Sequence, residues 1–218
     1  MAILSFPPFE TASPEGILAV GGDLDVDSLL LAYKNGIFPW PIDERLLTWF
    51  APPKRAITWL KDFHIPKSLK KERRRPGWSF TVDRNFAEVI HSCAELKNRR
   101  AQEGTWITKD IIRAYLELHR YGYAHSIECY YENNLVGGLY GVAIGGMFAG
   151  ESMFYRRPNA SKLALCFLVD KLRAKGVEWF DCQVMTPLLK RFGAIEVERD
   201  QFMKLLKKAV QQEITLFS

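Results

Sequence analysis

The sequence predicts an α+β protein, with a mixed-sheet main domain over residues 63–218 preceded by a small N-terminal domain over residues 1–62. Three observations carry this prediction. From Tyr123 to Phe154 the chain is predominantly apolar, aromatic or glycine, with turn signals at Glu132–Asn134 and at Gly145 and Gly146, which is the pattern of three consecutive antiparallel strands. Beyond residue 160, helical and extended periodicities alternate. The first sixty residues are instead rich in Pro, Gly and Trp, with little sustained periodicity.

The elements follow in order. A short helix after Asp27 stops at Gly36, and Pro66 suits the first turn of a basic helix. Asp83 is positioned to cap a helix whose apolar face is Phe86, Val89, Ile90, Cys93 and Leu96. Thr108 is positioned to cap the next, with Ile111, Ile112, Tyr115 and Leu118 inward and Gly122 as its stop. The three strands come next, over 123–131, 135–143 and 147–154. A helix over 161–175 ends at Gly176, and a strand over 177–183 follows. Thr186 and Pro187 open a short helix closed by Gly193, before a strand near 194–197 and a last helix from Asp200. The order βββ-α-β-α-β-α around one mixed sheet is that of GNAT-like folds, the acyl-CoA N-acyltransferase type.

Apolar residues make up 48% of the 218 and charged residues 25%, the balance of a globular protein with a buried core. No apolar run reaches membrane-spanning length and no signal-peptide pattern opens the chain, so a cytoplasmic protein is expected. Cys93, Cys129, Cys166 and Cys182 stand singly in apolar segments, without CxxC or Cys/His spacing, and are expected to be buried thiols rather than metal ligands. The formal charge of +5 favours polyanionic partners without identifying one. Its distribution is more specific: Lys67, Lys70, Lys71, Arg73, Arg74 and Arg75 fall within nine positions, and Arg99 and Arg100 form a second pair. The cluster reads either as a phosphate-contacting patch or as a solvated helix face.

Two segments carry chemistry. In VEWFDCQ, strand alternation places Asp181 and Gln183 on one face, ~7 Å apart at Cα, with Cys182 on the other. A carboxylate and an amide then emerge together at the C-terminal end of a strand, where sheets containing parallel strands bind ligands; the alternative is a strand that turns polar as it leaves the core. In GGMFAGESMF, Glu151 interrupts an apolar stretch, and a carboxylate there is either buried and used or exposed at an edge.

Seven separated stretches match one family in order: PEGILAVGGDL (14–24), AYKNGIFPW (32–40), WFAPPKRAI (49–57), GTWIT (104–108), LVGGLYGVAIGGMFAGESMF (135–154), NASKLAL (159–165) and DCQV (181–184). On these the chain resembles the bacterial leucyl/phenylalanyl-tRNA protein transferases, and ordered matches over most of a chain are far more specific than one short motif. The resemblance implies a GNAT-like catalytic domain that uses neither coenzyme A nor any other cofactor. It implies transfer of Leu, Phe or Met from aminoacyl-tRNA to the α-amino group of proteins with N-terminal Arg or Lys, marking them for degradation, by a monomer with no membrane partner. Asp181 and Gln183 match the catalytic pair and Glu151 the carboxylate that reads the acceptor's basic N-terminal residue. Leu139, Phe148 and Met153 match the donor side-chain pocket, and Trp49 and Trp106 the tryptophans associated with the 3′-terminal adenosine, expected to be exposed. Lys70, Lys71, Arg73 and Arg74 would contact tRNA phosphates.

The chain departs from the family after DCQV, where it reads MTPLLKRFGA: Thr186 replaces a common Asn, Leu188 a His, and Arg191 with Phe192 a Ser-Leu pair. No histidine is therefore available there for positioning. An acyl-CoA-dependent N-acyltransferase and a noncatalytic RNA-binding protein are the competing functions. The missing Gly-rich pyrophosphate loop before residue 161 counts against the first, and turnover with charged tRNA would exclude the second.

Overall fold

The computed structural model describes residues 2–42, 46–95 and 106–217. Near the N-terminus, strands β1 (Ile17–Val20), β2 (Phe38–Pro39) and β3 (Thr48–Phe50) form a small antiparallel sheet in the order β1-β3-β2, with helix α1 (Val26–Lys34) between β1 and β2. The chain then runs through β4 (Lys54–Trp59), α2 (Lys67–Arg73), β5 (Trp78–Val82), α3 (Phe86–Ala94) and α4 (Lys109–Arg120). Next come β6 (Ala124–Tyr131), β7 (Asn134–Ile144), β8 (Met147–Tyr155), α5 (Ala160–Ala174) and β9 (Trp179–Gln183), and finally α6 (Pro187–Arg191), β10 (Ile195–Glu198) and α7 (Arg199–Val210).

The main sheet has seven strands in the order β10-β4-β9-β8-β7-β6-β5. All its pairings are antiparallel except β8 with β9, which α5 connects by a crossover and which are parallel, with Ala149 opposite Asp181. The expected α+β mixed sheet and the βββ-α-β-α-β-α order from β6 onward are both present.

Alternation along the strands sorts their side chains into two cores. One face carries Ile57, Tyr140, Val142, Met147, Ala149 and Trp179 against α1, α3, α4 and α7. The other carries Ala56, Ile127, Cys129, Leu139, Phe148 and Phe180 against α2 and α5. Cys93, Cys129, Cys166 and Cys182 are all buried, and burial pushes the Cys129 and Cys182 thiols up to about 12 and Cys166 up to about 11, leaving them inert as nucleophiles.

Three details differ from the expectations. First, β4 is hydrogen-bonded between β9 and β10, so the main sheet begins at Lys54 and a boundary at 62/63 would cut one of its interior strands away. Sequence order concealed this, because β4 precedes its sheet neighbours by more than a hundred residues. Second, Asp83 does not cap α3. Asn85 does, accepting from the Glu88 N–H, while Asp83 adopts φ +56° and accepts from the Ser126 N–H. Third, Trp78, Phe80 and Val82 belong to β5, an edge strand absent from the sequence reading. Thr108 caps α4 as expected, accepting from the Ile111 N–H. Leu96, Arg99 and Arg100 lie outside the described residues, and no helix among those described is long and apolar enough to cross a membrane.

Candidate active site

A polar cluster sits where the two parallel strands meet. Opposite Ala149 on β8 stands Asp181 on β9; two residues further along each strand come Glu151 and Gln183. The register between β7 and β8 shifts at this point: Gly141 pairs with Gly150 and Tyr140 with Ser152, leaving Glu151 as the extra residue of a β-bulge. Before the bulge Met147 and Ala149 face the first core; after it Phe154 does. The bulge therefore reverses the phase of β8 and aims Glu151 independently of the alternation. Gly141 permits this geometry, since a Cβ there would strike the Ala149 carbonyl oxygen and the Phe148 ring.

Glu151 is held by three side chains from three other elements. The Tyr33 hydroxyl of α1 donates to Oε1 at 2.6 Å and the Tyr115 hydroxyl of α4 to Oε2 at 3.3 Å; the two hydroxyls also touch each other. Gln183 Nε2 donates to Oε1 at 2.7 Å. Burial pushes the Glu151 carboxyl up to about 7, against the opposing effect of the Tyr33 hydrogen bond; the negative charge of Asp181 adds to the rise and Arg55 moderates it. Both tyrosines are themselves raised well above the ordinary phenol value, first by burial and next by the neighbouring Glu151 charge, so they remain donors.

Asp181 belongs to the same cluster but is enclosed. Arg55 of β4 binds it through two parallel bonds, Nε to Oδ1 at 2.8 Å and Nη2 to Oδ2 at 2.6 Å, with both side chains no more than 3% exposed. The guanidinium lies between the Phe38 ring at 4.5 Å and the Phe202 ring at 4.7 Å, and its Nη1 donates to the Gly36 carbonyl at 3.2 Å. Asp181 Oδ1 also accepts the Gln183 N–H at 2.8 Å. That bond accompanies a left-handed Gln183, φ +61°, an uncommon conformation for a residue with a Cβ that turns its side chain toward Glu151. Cys182 faces the other way, its Sγ 3.2 Å from Thr58 Oγ1.

The structure thus brings Asp181, Gln183 and Glu151 together and adds Arg55, Tyr33 and Tyr115, none of which the sequence reading singled out. For Arg55 the signal was available: it alternates with Ala56 and Thr58 on a strand otherwise inward-facing, and a buried cation requires a carboxylate. Tyr115 was read as an inward apolar position, which is correct for its ring and silent about its hydroxyl.

The other expected site residues lie apart from this cluster. Leu139 and Met153 are cross-strand partners and, with Phe148, lie on the α5 side of the sheet; Met153 is the partly exposed one. Trp49 and Trp106 are not exposed, contrary to expectation. Trp49 is fully buried, donating to the Gly21 carbonyl and edge-on to Phe6, and Trp106 is 8% exposed and stacked on Trp40 at 5.6 Å. The two indoles fill the space around the small sheet, where Trp side chains bury more area than any other residue could. Lys70 and Lys71 on α2, and Arg74 just past its end, are exposed, whereas Arg73 is committed to Asp170 at 2.6 Å.

The family described as leucyl/phenylalanyl-tRNA protein transferase matches residues 57–207, and the N-terminal domain of that family matches 22–53. A leucyl/phenylalanyl-tRNA–protein transferase of Pseudoalteromonas atlantica is 50% identical over 95% of this chain and 89% of its own. Those of Syntrophotalea carbinolica and Idiomarina loihiensis are 49% and 43% identical, each over 98% of this chain and 92% and 90% of theirs. Among solved structures, L-PGS from Bacillus licheniformis is 13% identical, covers 86% of this chain and 71% of its own, and has a TM-score of 0.46. With a family match over 151 residues and relatives of this identity over nearly its whole length, the chain belongs to the leucyl/phenylalanyl-tRNA protein transferase family.

Proposed function

We propose that this protein transfers Leu or Phe, and also Met, from aminoacyl-tRNA to the α-amino group of proteins whose first residue is Arg or Lys, marking them for degradation in the cytoplasm. The observation that carries the reading is the Glu151 carboxylate, held by Tyr33, Tyr115 and Gln183 at the junction of β8 and β9. A carboxylate fixed by neutral donors, with no cation in ion-pair contact among the described residues, is suited to receive the guanidinium or ammonium of an acceptor side chain.

The donor ester is already activated, and an α-amino group of pKa ~7.7 to 8 is partly neutral near pH 7. Aminolysis therefore depends chiefly on placement. Gln183 directs its amide nitrogen at Glu151, which leaves its carbonyl oxygen to hold the attacking amine. The amine lone pair forms the C–N bond, the C–O bond to the 3′-terminal ribose breaks, and the proton lost by the amine leaves on the ribose oxygen. Asp181 is a positioning residue in this account rather than the proton acceptor, since Arg55 and the Gln183 N–H occupy its oxygens. Its effect is exerted through the left-handed Gln183. Leu139, Phe148 and Met153 line the donor side-chain site. Trp49 and Trp106 support the adenosine end as walls of the small sheet rather than as open stacking faces, and Lys70, Lys71 and Arg74 meet phosphates. The protein works as a monomer without a cofactor.

The test is incubation with tRNA charged with labelled Leu and a peptide beginning with Arg. Label on the peptide supports the reading. Intact charged tRNA with an unlabelled peptide contradicts it, and acylation by an acyl-coenzyme A instead would replace it.

A further inference from the structure

The exposed cations of α2 continue onto a second element that lies outside both the candidate site and the seven motif stretches. Trp78, at the start of β5, donates its indole N–H to Glu72 Oε1 of α2 at 3.3 Å and packs edge-on against Tyr131 at the end of β6, with ring centroids 5.0 Å apart. The Arg157 guanidinium, just beyond β8, lies 3.6 Å from the Tyr131 ring centroid and 5.6 Å from that of Trp78. Arg157 is exposed, and among the described residues no carboxylate lies within ion-pair distance of it. Its neighbour Arg156, by contrast, is bound to Glu88 at 2.8 Å, as Arg73 is to Asp170 and Arg75 to Glu72. Arg157 is thus a fully charged group whose planar head is seated on aromatic rings, with less rotamer freedom to lose on binding than a solvated side chain.

Position gives it a ligand class. β8 ends at Tyr155, four residues and ~13 Å of strand beyond Glu151, and Arg157 lies past that end beside Trp78, whose bond to Glu72 ties it to α2; this places Arg157 away from the reacting 3′ nucleotide and next to the cations of α2. Lys70, Lys71 and Arg74 extend the positive surface from the same edge. We infer that Arg157, seated on Tyr131 and Trp78, is a phosphate-backbone contact for the tRNA body, extending the α2 patch into one continuous track. This rests on the transfer reading and adds a contact at a distance from the chemistry.

The experiment measures tRNA binding across a salt series for wild type, Arg157→Ala and Arg157→Gln, with thermal melts confirming the fold. It is paired with transfer from two donors, full-length leucyl-tRNA and a leucylated CCA trinucleotide. Losing one phosphate contact should lower the salt-dependence slope by about 1 in both variants and weaken binding severalfold. Transfer from the trinucleotide should be unchanged, and transfer from the full tRNA should fall through its KM. An unaltered slope in folded variants overturns the proposal, as does an equal loss with both donors. Failure of wild type to transfer from either donor would instead overturn the transfer reading itself.

Discussion

Arg55→Met should be among the most damaging single substitutions in this protein, although Arg55 is absent from the expected machinery. The side chain makes two charge-assisted bonds to Asp181, at 2.8 and 2.6 Å, and one to Gly36, and fills the space between Phe38 and Phe202. Methionine can fill much of that space, so the loss is principally the buried charge left uncompensated on Asp181. Breaking such a pair from one side costs about 3 to 5 kcal/mol. For a chain of this size, about 2 to 4 °C per kcal/mol implies a fall in melting temperature on the order of 10 °C. Urea unfolding gives the energy, and kcat at saturating donor gives the effect on the site, which should fall at least tenfold because Gln183 loses its fixed anchor. Arg55→Lys keeps the charge without the fork and should lie between the two. Adding Asp181→Asn to Arg55→Met should recover part of the stability and none of the activity. Arg55→Met within 1 kcal/mol of wild type, at an undiminished rate, would refute the reasoning.

Glu151→Gln should remove discrimination between Arg-first and Ala-first peptides, measured as their ratio of kcat/KM. The same variant carries a stability signature. Because folding raises the Glu151 carboxyl from 4.5 to about 7, the folded protein binds more protons than the unfolded chain in that window, and Glu151 progressively destabilises the fold as pH rises through it. At about 1.4 kcal/mol per pKa unit, Glu151→Gln should therefore gain on wild type by roughly 2 to 3 kcal/mol between pH 5 and pH 8; a pH-independent difference in urea unfolding would contradict this. Gly141→Ala should destabilise by about 1 to 3 kcal/mol and depress transfer, since the new methyl displaces the backbone opposite the bulge; an unchanged melting temperature and rate would show that the bulge accommodates it. Leu-, Phe- and Met-charged tRNAs should compete as donors while Val- and Ile-charged ones transfer poorly, because branching at Cβ puts a methyl beside the reacting carbonyl. Transfer of Ile as efficient as Leu, at equal concentrations, would refute that.

Local signals accounted for most of the fold. The three-strand block, the Thr108 cap and the stops at Gly36, Gly122 and Gly176 are each set by neighbours within a few positions, and the structure has all of them. What sequence could not locate depends on long separations. The place of β4 beside β9 joins residues some 125 positions apart, and the bulge at Glu151 is defined by a register shift against β7. The same distinction divides the site. Asp181, Gln183 and Glu151 stood out as polar residues in apolar strands, but alternation predicted two side chains acting alike. The left-handed turn at Gln183 separates them, enclosing Asp181 with Arg55 and swinging Gln183 to Glu151. Tyr33 and Tyr115, 82 positions apart, converge only because α1 and α4 pack together. Exposure was the least legible property: a motif match identifies Trp49 and Trp106 without revealing that both are buried.

The central claim is most directly tested by the mass of the product. Wild-type protein, leucyl-tRNA and an equimolar mixture of an Arg-first and an Ala-first peptide should yield only the Arg-first peptide, heavier by one leucyl residue and blocked at its original α-amine. Fragmentation places the added residue. Leucine on both peptides alike would contradict the reading of the Glu151 pocket, and no added leucine on either, with the charged tRNA intact, would contradict the account as a whole.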